Sequence, residues 1–256
     1  MNNSPIGIFD SGLGGLSVWA EIRRRLPAES LIYYGDGKHC PYGRKSAEKI
    51  TEYAIEAVES LLNMGAKLVV VACNTATGAA IRTLRNRYTI PIVGMEPAVK
   101  PAALATRTGV IGILATQRSL ESELYLHTSA CYATGVEIVQ SEGEGFVELV
   151  ESGMSDSDEA INVVSRVVEP MLQKGVDQIV LGCTHYPFLK NTIRKVVGNR
   201  KVNIIDPSPA IAARVEQLLG QYDLQCDATH TATYQFISAA DEEYVSRIIQ
   251  FAKQID

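Results

Sequence analysis

The sequence lacks the features that mark several large classes of protein. No apolar run approaches the roughly 18 residues of a membrane-spanning helix. Basic residues are in deficit, because 24 Lys and Arg face 29 Asp and Glu, giving a net charge of −5 and a pI near 5.5. That balance argues against a surface for nucleic acid or anionic membrane. We therefore expect neither a nucleic-acid partner nor a membrane partner.

The five cysteines include no C-x-x-C pair, and the first residues show no secretory pattern. Both observations predict reduced thiols and a cytoplasmic location. A Gly/Ser-rich linker is also missing, although 256 residues can form two modest α/β domains, each with its own core. The hydrophobic content of 46% and charged content of 21% are ordinary for a soluble enzyme.

The chain does contain two segments in which an apolar strand runs into a cysteine and then towards a helix. The first is LVVVACNTAT at Leu68–Thr77, and the second is QIVLGCTHYP at Gln178–Pro187. Each pattern predicts a buried parallel strand with a cysteine at its carboxyl end. Open α/β sheets bind ligands at such crevices, and a helix N-terminus there favours a thiolate.

Strands alternate with helices along the whole chain, and the pattern restarts near Gly109. Asp10 and Cys73 in the first half correspond to Thr116 and Cys183 in the second, at nearly the same spacing. We predict an α/β protein with two doubly wound parallel-sheet domains, related by pseudo-twofold symmetry around a cleft that holds the active site. The expected domains are 1–97 plus 207–256, and 98–206.

Two details of the helices are predicted from residue types. The helix after Cys73 is expected over Thr77–Arg87. A longer helix is expected over Asp156–Lys174, kinked or split at Pro170 because proline lacks the backbone N–H.

Two cysteines at equivalent positions suit proton transfer at a carbon centre. One thiolate removes a proton from one face while the opposite thiol supplies a proton to the other, so the centre is inverted. A free thiol has a pKa near 8.5 and is mostly protonated at neutral pH, so each cysteine needs help. Asp10 is a candidate beside Cys73. His185 and Glu151 are candidates beside Cys183. A neighbouring carboxylate raises the pKa of a thiol by charge repulsion, so we expect a carboxylate to relay the proton rather than to stabilise the thiolate.

Other interpretations of the same residues remain open. The glycine-rich turn Gly12–Ser17, followed by Asp36, resembles a dinucleotide fingerprint but lacks its third glycine. Cys73, Cys183 and His185 are residue types that bind zinc, but their spacing is not a usual zinc pair, and we assign no metal and no cofactor. We expect Cys131, Cys226 and Cys40 to be core residues, and assign no role to His39, His127 or His230.

Four motifs together are highly specific. They are IFDSGLGG at Ile8–Gly15, PYG at Pro41–Gly43, ACNTA at Ala72–Ala76 and GCTHYP at Gly182–Pro187. In these motifs the chain resembles the bacterial glutamate racemases from about residue 6 to its C-terminus. The resemblance implies a cofactor-independent isomerase that interconverts L- and D-glutamate and supplies D-glutamate for peptidoglycan, in cell-wall biogenesis and the maintenance of cell shape.

The resemblance also implies residue roles and an assembly. Cys73 and Cys183 are the acid/base pair, assisted by Asp10 and His185, with Glu151 or the nearby Glu148 as a further assistant. Positions that hold the substrate's carboxylates and amine correspond to Ser11, Tyr42, Gly43, Asn74, Thr75 and Thr184. Family members are commonly homodimers, so a homodimer with glutamate as substrate is expected.

Three rival functions follow from the same features. A sibling racemase acting on aspartate or a hydantoin would keep both cysteines and change the pocket. A non-enzymatic module that captures small anions would keep its function after Cys73→Ser. A thiol redox protein would need a reversible disulfide between Cys73 and Cys183.

Overall fold

The computed structural model describes residues 1–255, in which strands and helices alternate as the sequence predicts. The strands are β1 (Ile6–Asp10), β2 (Leu31–Gly35), β3 (Leu68–Val71), β4 (Ile92–Gly94), β5 (Val110–Ala115), β6 (Glu137–Ser141), β7 (Gln178–Gly182), β8 (Asn203–Ile205) and β9 (Tyr234–Ser238).

The α-helices lie between these strands. They are α1 (Leu16–Arg25), α2 (Ala47–Asn63), α3 (Asn74–Arg87), α4 (Val99–Ala105), α5 (Gln117–Leu120), α6 (Glu123–Tyr132), α7 (Phe146–Glu151), α8 (Asp158–Gln173), α9 (Lys190–Val197), α10 (Ser208–Gln221) and α11 (Glu242–Gln254). A short 3-10 helix covers Tyr186–Leu189.

The chain forms two compact units. The first combines Met1–Met95 with the chain from Ser208 onward, and the second is Glu96–Pro207. The first unit contains a five-stranded parallel sheet in the order β4-β3-β1-β2-β9, and the second a four-stranded parallel sheet in the order β6-β5-β7-β8. The predicted α/β class with two parallel sheets is confirmed.

The two sheets share one connectivity. In the first unit β2, β1, β3 and β4 are neighbours in that order, and in the second unit β6, β5, β7 and β8 follow the same plan. The third strand of each plan, β3 or β7, leads into a cysteine. The internal repeat inferred from the sequence is therefore a repeat of strand order.

The continuous apolar runs in the sequence correspond to central strands of the first sheet. Every residue of β1 and of β3 is buried, because helices cover both faces of the sheet. Strand β1 pairs with β2 and β3, so that Asp10 aligns with Gly35 and Phe9 with Val71. This register brings the carboxyl ends of three strands to one edge of the sheet.

The helix after Cys73 begins earlier than predicted. It starts at Asn74 rather than Thr77, because Cys73 has extended backbone geometry and its sulfur caps the helix by accepting a hydrogen bond from the backbone N–H of Ala76. A cysteine is not among the usual N-cap residues, so the sequence gives no strong boundary signal there.

The predicted effect of Pro170 was a kink or a split of its helix, and the split is wrong. Helix α8 runs without interruption from Asp158 to Gln173. Pro170 lies in the last turn, where the helix continues for only three more residues. Among the described residues, none of the helices is both long and apolar enough to cross a membrane.

Candidate active site

In the first unit the candidate site is built around the sulfur of Cys73. This residue follows β3, caps α3 and is 4% exposed. Its Sγ accepts a hydrogen bond from the Ala76 N–H at 3.4 Å and lies 3.6 Å from the Oγ of Ser11, to which the thiol donates. The fourteen-residue helix α3 directs its N-terminus at this sulfur, and that end of a helix favours negative charge.

Asp10 ends the neighbouring strand β1 and is completely buried. Its Oδ2 accepts a hydrogen bond from the Gly12 N–H at 3.0 Å, and its carbonyl oxygen accepts one from the Asp36 N–H at 2.9 Å. Ser11, whose hydroxyl contacts Cys73, lies between the two residues that form the first of these bonds. Asp10, Ser11 and Cys73 are therefore brought together at the carboxyl edge of one sheet.

Tyr42 lies beside this group, but its hydroxyl already has an acceptor. The Oη donates to Asp36 Oδ2 at 2.5 Å, and the side chain is only 1% exposed. Burial raises the pKa of Tyr42 well above its ordinary value, and the charges of Asp36, Cys73 and Asp10 raise it further. A substrate contact by Tyr42 or the half-buried Gly43 would thus come from the backbone.

Asp36 is a residue whose contacts the sequence did not predict. Its carboxylate accepts from the Tyr42 hydroxyl and lies 2.9 and 3.0 Å from Nδ1 of His39, which stacks on Tyr53. The only signal in the sequence was its position just after β2, where it was considered as a ribose-binding acid. It instead organises the loop that carries Tyr42.

The first residues of α3 add polar groups to the same place. Among the described residues, Oδ1 of Asn74 is a buried atom without a hydrogen-bond partner, and Thr75 is 4% exposed. A buried carbonyl oxygen without a donor is energetically costly. An N–H or ammonium group of a ligand would satisfy it.

In the second unit Cys183 follows β7 and is 8% exposed. Its Sγ lies 3.8 Å from Nδ1 of His185, and Nε2 of the same ring lies 2.7 Å from Oε1 of Glu151. A carboxylate only accepts hydrogen bonds, so it holds the proton on Nε2 and leaves Nδ1 able to accept the thiol proton. Cys183 thus has a carboxylate–imidazole–thiol chain.

Glu151 and Glu148 are distinguished by their surroundings. Glu151 is the last residue of α7 and contacts the ring of His185. Glu148 lies one turn earlier, and its charge acts on Tyr186, whose pKa is raised first by burial and then by the charges of Cys183, Glu148 and Glu142. Thr184, next to Cys183, is also buried at 3% exposure.

The surroundings of the two cysteines differ more than the sequence suggested. Cys183 is followed by a turn and a 3-10 helix rather than by an α-helix, so it lacks the cap that Cys73 has. His185 supplies a proton acceptor there instead. The sulfur of Cys183 and the carboxylate of Glu151 lie against opposite nitrogens of the His185 ring.

Cys131 and Cys226 do not share this setting. Cys131 is exposed on α6, so the expectation that it belongs to the core is wrong; its sulfur lies 3.7 Å from Nε2 of His127, one helical turn away. Cys40 and Cys226 are partly buried. Burial and the charge of Glu29 raise the pKa of Cys226.

Comparison with known proteins decides the family. The family model described as Asp/Glu/Hydantoin racemase matches residues 6–215 of this chain. The chain belongs to this racemase family. It is therefore an isomerase.

Relatives of this racemase extend the likeness over nearly its whole length. It is 46% identical over 252 residues to the glutamate racemase of Ectopseudomonas mendocina, covering 97% of this chain and 95% of the relative. Among solved structures, the glutamate racemase isoform RacE1 from Bacillus anthracis is similar with a TM-score of 0.88 and 31% identity, over 98% of this chain and 94% of that one. The Escherichia coli glutamate racemase, solved with L-glutamate and the activator UDP-MurNAc-Ala, gives a TM-score of 0.87 and 32% identity over 98% and 95%.

Proposed function

We propose that this racemase interconverts L- and D-glutamate by transferring protons at the α-carbon between two cysteines. The observation that carries the proposal is the position of Cys73 and Cys183 after equivalent strands of two sheets with one strand order. The substrate is inferred from relatives that are glutamate racemases at up to 46% identity over most of the chain.

In one direction the thiolate of Cys73 takes the α-proton, and the electron pair of the broken C–H bond stays on the α-carbon. The thiol of Cys183 then gives its proton to the opposite face of that carbon and becomes the thiolate. The reverse reaction exchanges the two roles, and exchange with solvent resets the protons. The mechanism requires both sulfurs to reach the same carbon atom, and it needs no cofactor.

On the Cys73 side, the Ala76 N–H and the α3 N-terminus stabilise the thiolate, while Asp10 and Ser11 relay the proton. On the Cys183 side, Nδ1 of His185 takes the thiol proton, and Glu151 keeps the ring in the required tautomer. The two sides therefore activate their cysteines by different means, although the chemistry at the sulfur is the same.

The carbanion needs fixed dipoles, because no cofactor delocalises its charge. Backbone N–H groups after Asn74 and Thr184 are the proposed donors, and the hydroxyls of Ser11, Thr75 and Thr184 with the backbone at Tyr42–Gly43 hold the carboxylates. The buried Oδ1 of Asn74 accepts a hydrogen bond from the substrate ammonium group.

We also propose the biological setting on the strength of the family resemblance. The enzyme supplies D-glutamate for peptidoglycan in the cytoplasm and acts as a homodimer. The two compact units are its two domains.

The test is solvent-deuterium exchange at the α-carbon of each glutamate enantiomer in D2O. The unaltered enzyme should racemise glutamate and label both enantiomers, and it should process aspartate far more slowly. Cys73→Ser and Cys183→Ser should each lower racemisation by roughly 10²- to 10⁴-fold, the usual contribution of a general acid or base. Each variant should retain exchange of only the enantiomer that the remaining cysteine deprotonates.

The matched control is Cys131→Ser, which removes an exposed thiol on α6. It should racemise glutamate at the unaltered rate. Undiminished racemisation by either Cys73→Ser or Cys183→Ser would rule out the two-cysteine mechanism, and faster turnover of aspartate than glutamate would overturn the substrate.

A further inference from the structure

A tyrosine on β2 reaches the loop that carries Asp10 and Ser11. Tyr33 is completely buried, and its Oη donates a hydrogen bond to the carbonyl oxygen of Gly12 at 2.7 Å. Sequence pattern alone points neither to Tyr33 nor to this contact. No residue of the proposed proton-transfer chain belongs to β2, so the bond joins a second strand to the site.

Both backbone polar groups of Gly12, the N–H and the carbonyl oxygen, make hydrogen bonds to side chains. Its N–H donates to Asp10 Oδ2 at 3.0 Å, and its carbonyl accepts from Tyr33 at 2.7 Å. Glycine adopts backbone angles that other residues avoid, so an unrestrained glycine here would leave the loop several conformations. The two bonds select one of them, and with it the position of Ser11 between Asp10 and Gly12.

Gly15 leaves the space in which these groups meet. A Cβ atom at this position would lie 2.5 Å from Cβ of Asp10 and 3.0 Å from Oη of Tyr33. Both distances are shorter than ordinary contacts between such atoms. The glycine therefore permits both the Asp10 side chain and the Tyr33 hydroxyl to lie against this turn.

We propose that Tyr33 is a positioning residue of the racemase, and that its hydroxyl fixes the Asp10–Gly12 loop so that Ser11 and Asp10 face Cys73. The inference rests on the proposed function of Cys73. Tyr33 itself does not touch the substrate: it acts through Gly12, and its effect is confined to proton transfer by Cys73.

The test is Tyr33→Phe, which keeps the ring in the core and removes the hydroxyl. We expect kcat to fall roughly 10- to 100-fold with a small change in KM, because small misplacements of catalytic groups have effects of this size. The matched control is Tyr34→Phe, which removes a hydroxyl from the next residue of the same strand, a residue that packs on Phe9. Its kcat should change less than about twofold.

Kinetic isotope effects distinguish positioning from a general loss of structure. The enantiomer that Cys73 deprotonates is the one that Cys73→Ser no longer exchanges with solvent. With α-deuterated substrates, Tyr33→Phe should increase the isotope effect for that enantiomer and not for the other, since only one of the two proton transfers is slowed.

Three outcomes would overturn the proposal: an unaltered kcat in Tyr33→Phe, a loss equal to that of Tyr34→Phe, or equally increased isotope effects for both enantiomers. Gly15→Ala provides a second variant, expected to lower kcat with the same one-sided isotope effect. Failure of the proposed function is visible separately, because Cys73→Ser would then racemise glutamate normally whatever Tyr33→Phe does.

Discussion

His185 is the residue whose surroundings define its chemistry most completely. Sulfur and carboxylate lie on opposite sides of one ring, at 3.8 Å from Nδ1 and 2.7 Å from Nε2. The ring is 2% exposed, so water does not compete strongly for either nitrogen. In the proposed mechanism, this arrangement makes the imidazole a base and the carboxylate the group that orients it.

We therefore expect the loss of kcat to be largest for a substitution of His185, smaller for Glu151 and smallest for Glu148. His185→Asn removes the base and should lower kcat by roughly 10²-fold or more, while Glu151→Gln removes only the preference for one tautomer and should lower it by about tenfold. Glu148→Gln, one helical turn away, should leave kcat nearly unchanged. Steady-state kinetics in both directions measure the order, and an effect of Glu148→Gln that exceeds that of Glu151→Gln would contradict it.

The residue types of the candidate site could be predicted from the sequence, but several of their contacts could not. Asp10 ends a strand, Cys73 and Cys183 follow strands, and apolar runs identify strand ends well. The hydroxyl of Tyr42 binds Asp36, and that of Tyr33 binds Gly12. The second contact depends on which strands are neighbours in the sheet, a long-range property that local pattern does not contain.

At the scale of single elements, the ends of β7 and α4 are joined through one carboxylate. Asp177 accepts hydrogen bonds from the hydroxyl of Thr106 at 2.6 Å and from the N–H groups of Arg107 at 2.7 Å and Thr108 at 3.3 Å. Burial alone would raise the pKa of Asp177, but these bonds outweigh burial and lower it below its ordinary value of 3.8. The charged form therefore stabilises the folded second unit.

Asp177→Asn should lower the free energy of unfolding at neutral pH by about 1.5–3 kcal/mol, because hydrogen bonds to a charged group have this net value. The amide would also place an N–H against the Arg107 and Thr108 donors if its oxygen kept the bond to Thr106. Since the folded pKa lies below the unfolded one, the stabilisation is complete above 3.8 and is lost as pH falls through the folded value. Urea unfolding followed by circular dichroism at neutral and acid pH measures the difference in free energy of unfolding between the variant and the unaltered protein. A difference that grows in acid would contradict the role of the Asp177 carboxylate.

Element boundaries show where local pattern succeeds and fails. The apolar run Leu68–Val71 coincides with the fully buried strand β3, and the shorter, partly exposed strand β8 covers Asn203–Ile205. Ser46, a usual N-cap residue type, caps α2 by accepting a hydrogen bond from the Lys49 N–H. The start of α3 was wrong because its cap is a sulfur, and the expected break at Pro170 was wrong because that proline is close to the helix end.

At the scale of the whole molecule, a buried ion pair stabilises the first unit far from its proposed catalytic residues. Nζ of Lys67 lies 2.6 Å from Oε2 of Glu29, with side chains 1% and 4% exposed. Lys67 also donates to the carbonyl of Asn2, and Glu29 accepts from the N–H of Cys226 at 2.9 Å. These contacts lie at the amino-terminal edge of the first sheet. The strands β1, β2, β3 and β9 are preceded in the chain by Asn2, Glu29, Lys67 and Cys226, respectively, so the ion pair joins the beginnings of the strands.

Lys67→Met should lower the free energy of unfolding of the first unit by about 3–5 kcal/mol, because it leaves a buried carboxylate without its cation. The double variant Lys67→Met/Glu29→Gln keeps the acceptor for Cys226, removes the charge, and should be more stable than the single variant. Trp19, the single tryptophan, lies in the first unit, so its fluorescence reports this transition during urea unfolding.

The catalytic rate per folded molecule should be unchanged in these variants, since the ion pair and the proposed site lie at opposite edges of the sheet. Asp177→Asn serves as the comparison, because it lies in the second unit and should shift the circular dichroism transition more than that of Trp19. A double variant less stable than Lys67→Met would contradict the role of the unpaired charge.

The return of the chain to its first sheet has a consequence for synthesis on the ribosome. The second unit is one continuous segment, Glu96–Pro207, whereas the first unit also needs β9 and the helices from Ser208 onward. Domains generally fold as units while the nascent polypeptide emerges. The second unit is therefore fully synthesised before β9, the edge strand that completes the sheet of the first unit, leaves the ribosome.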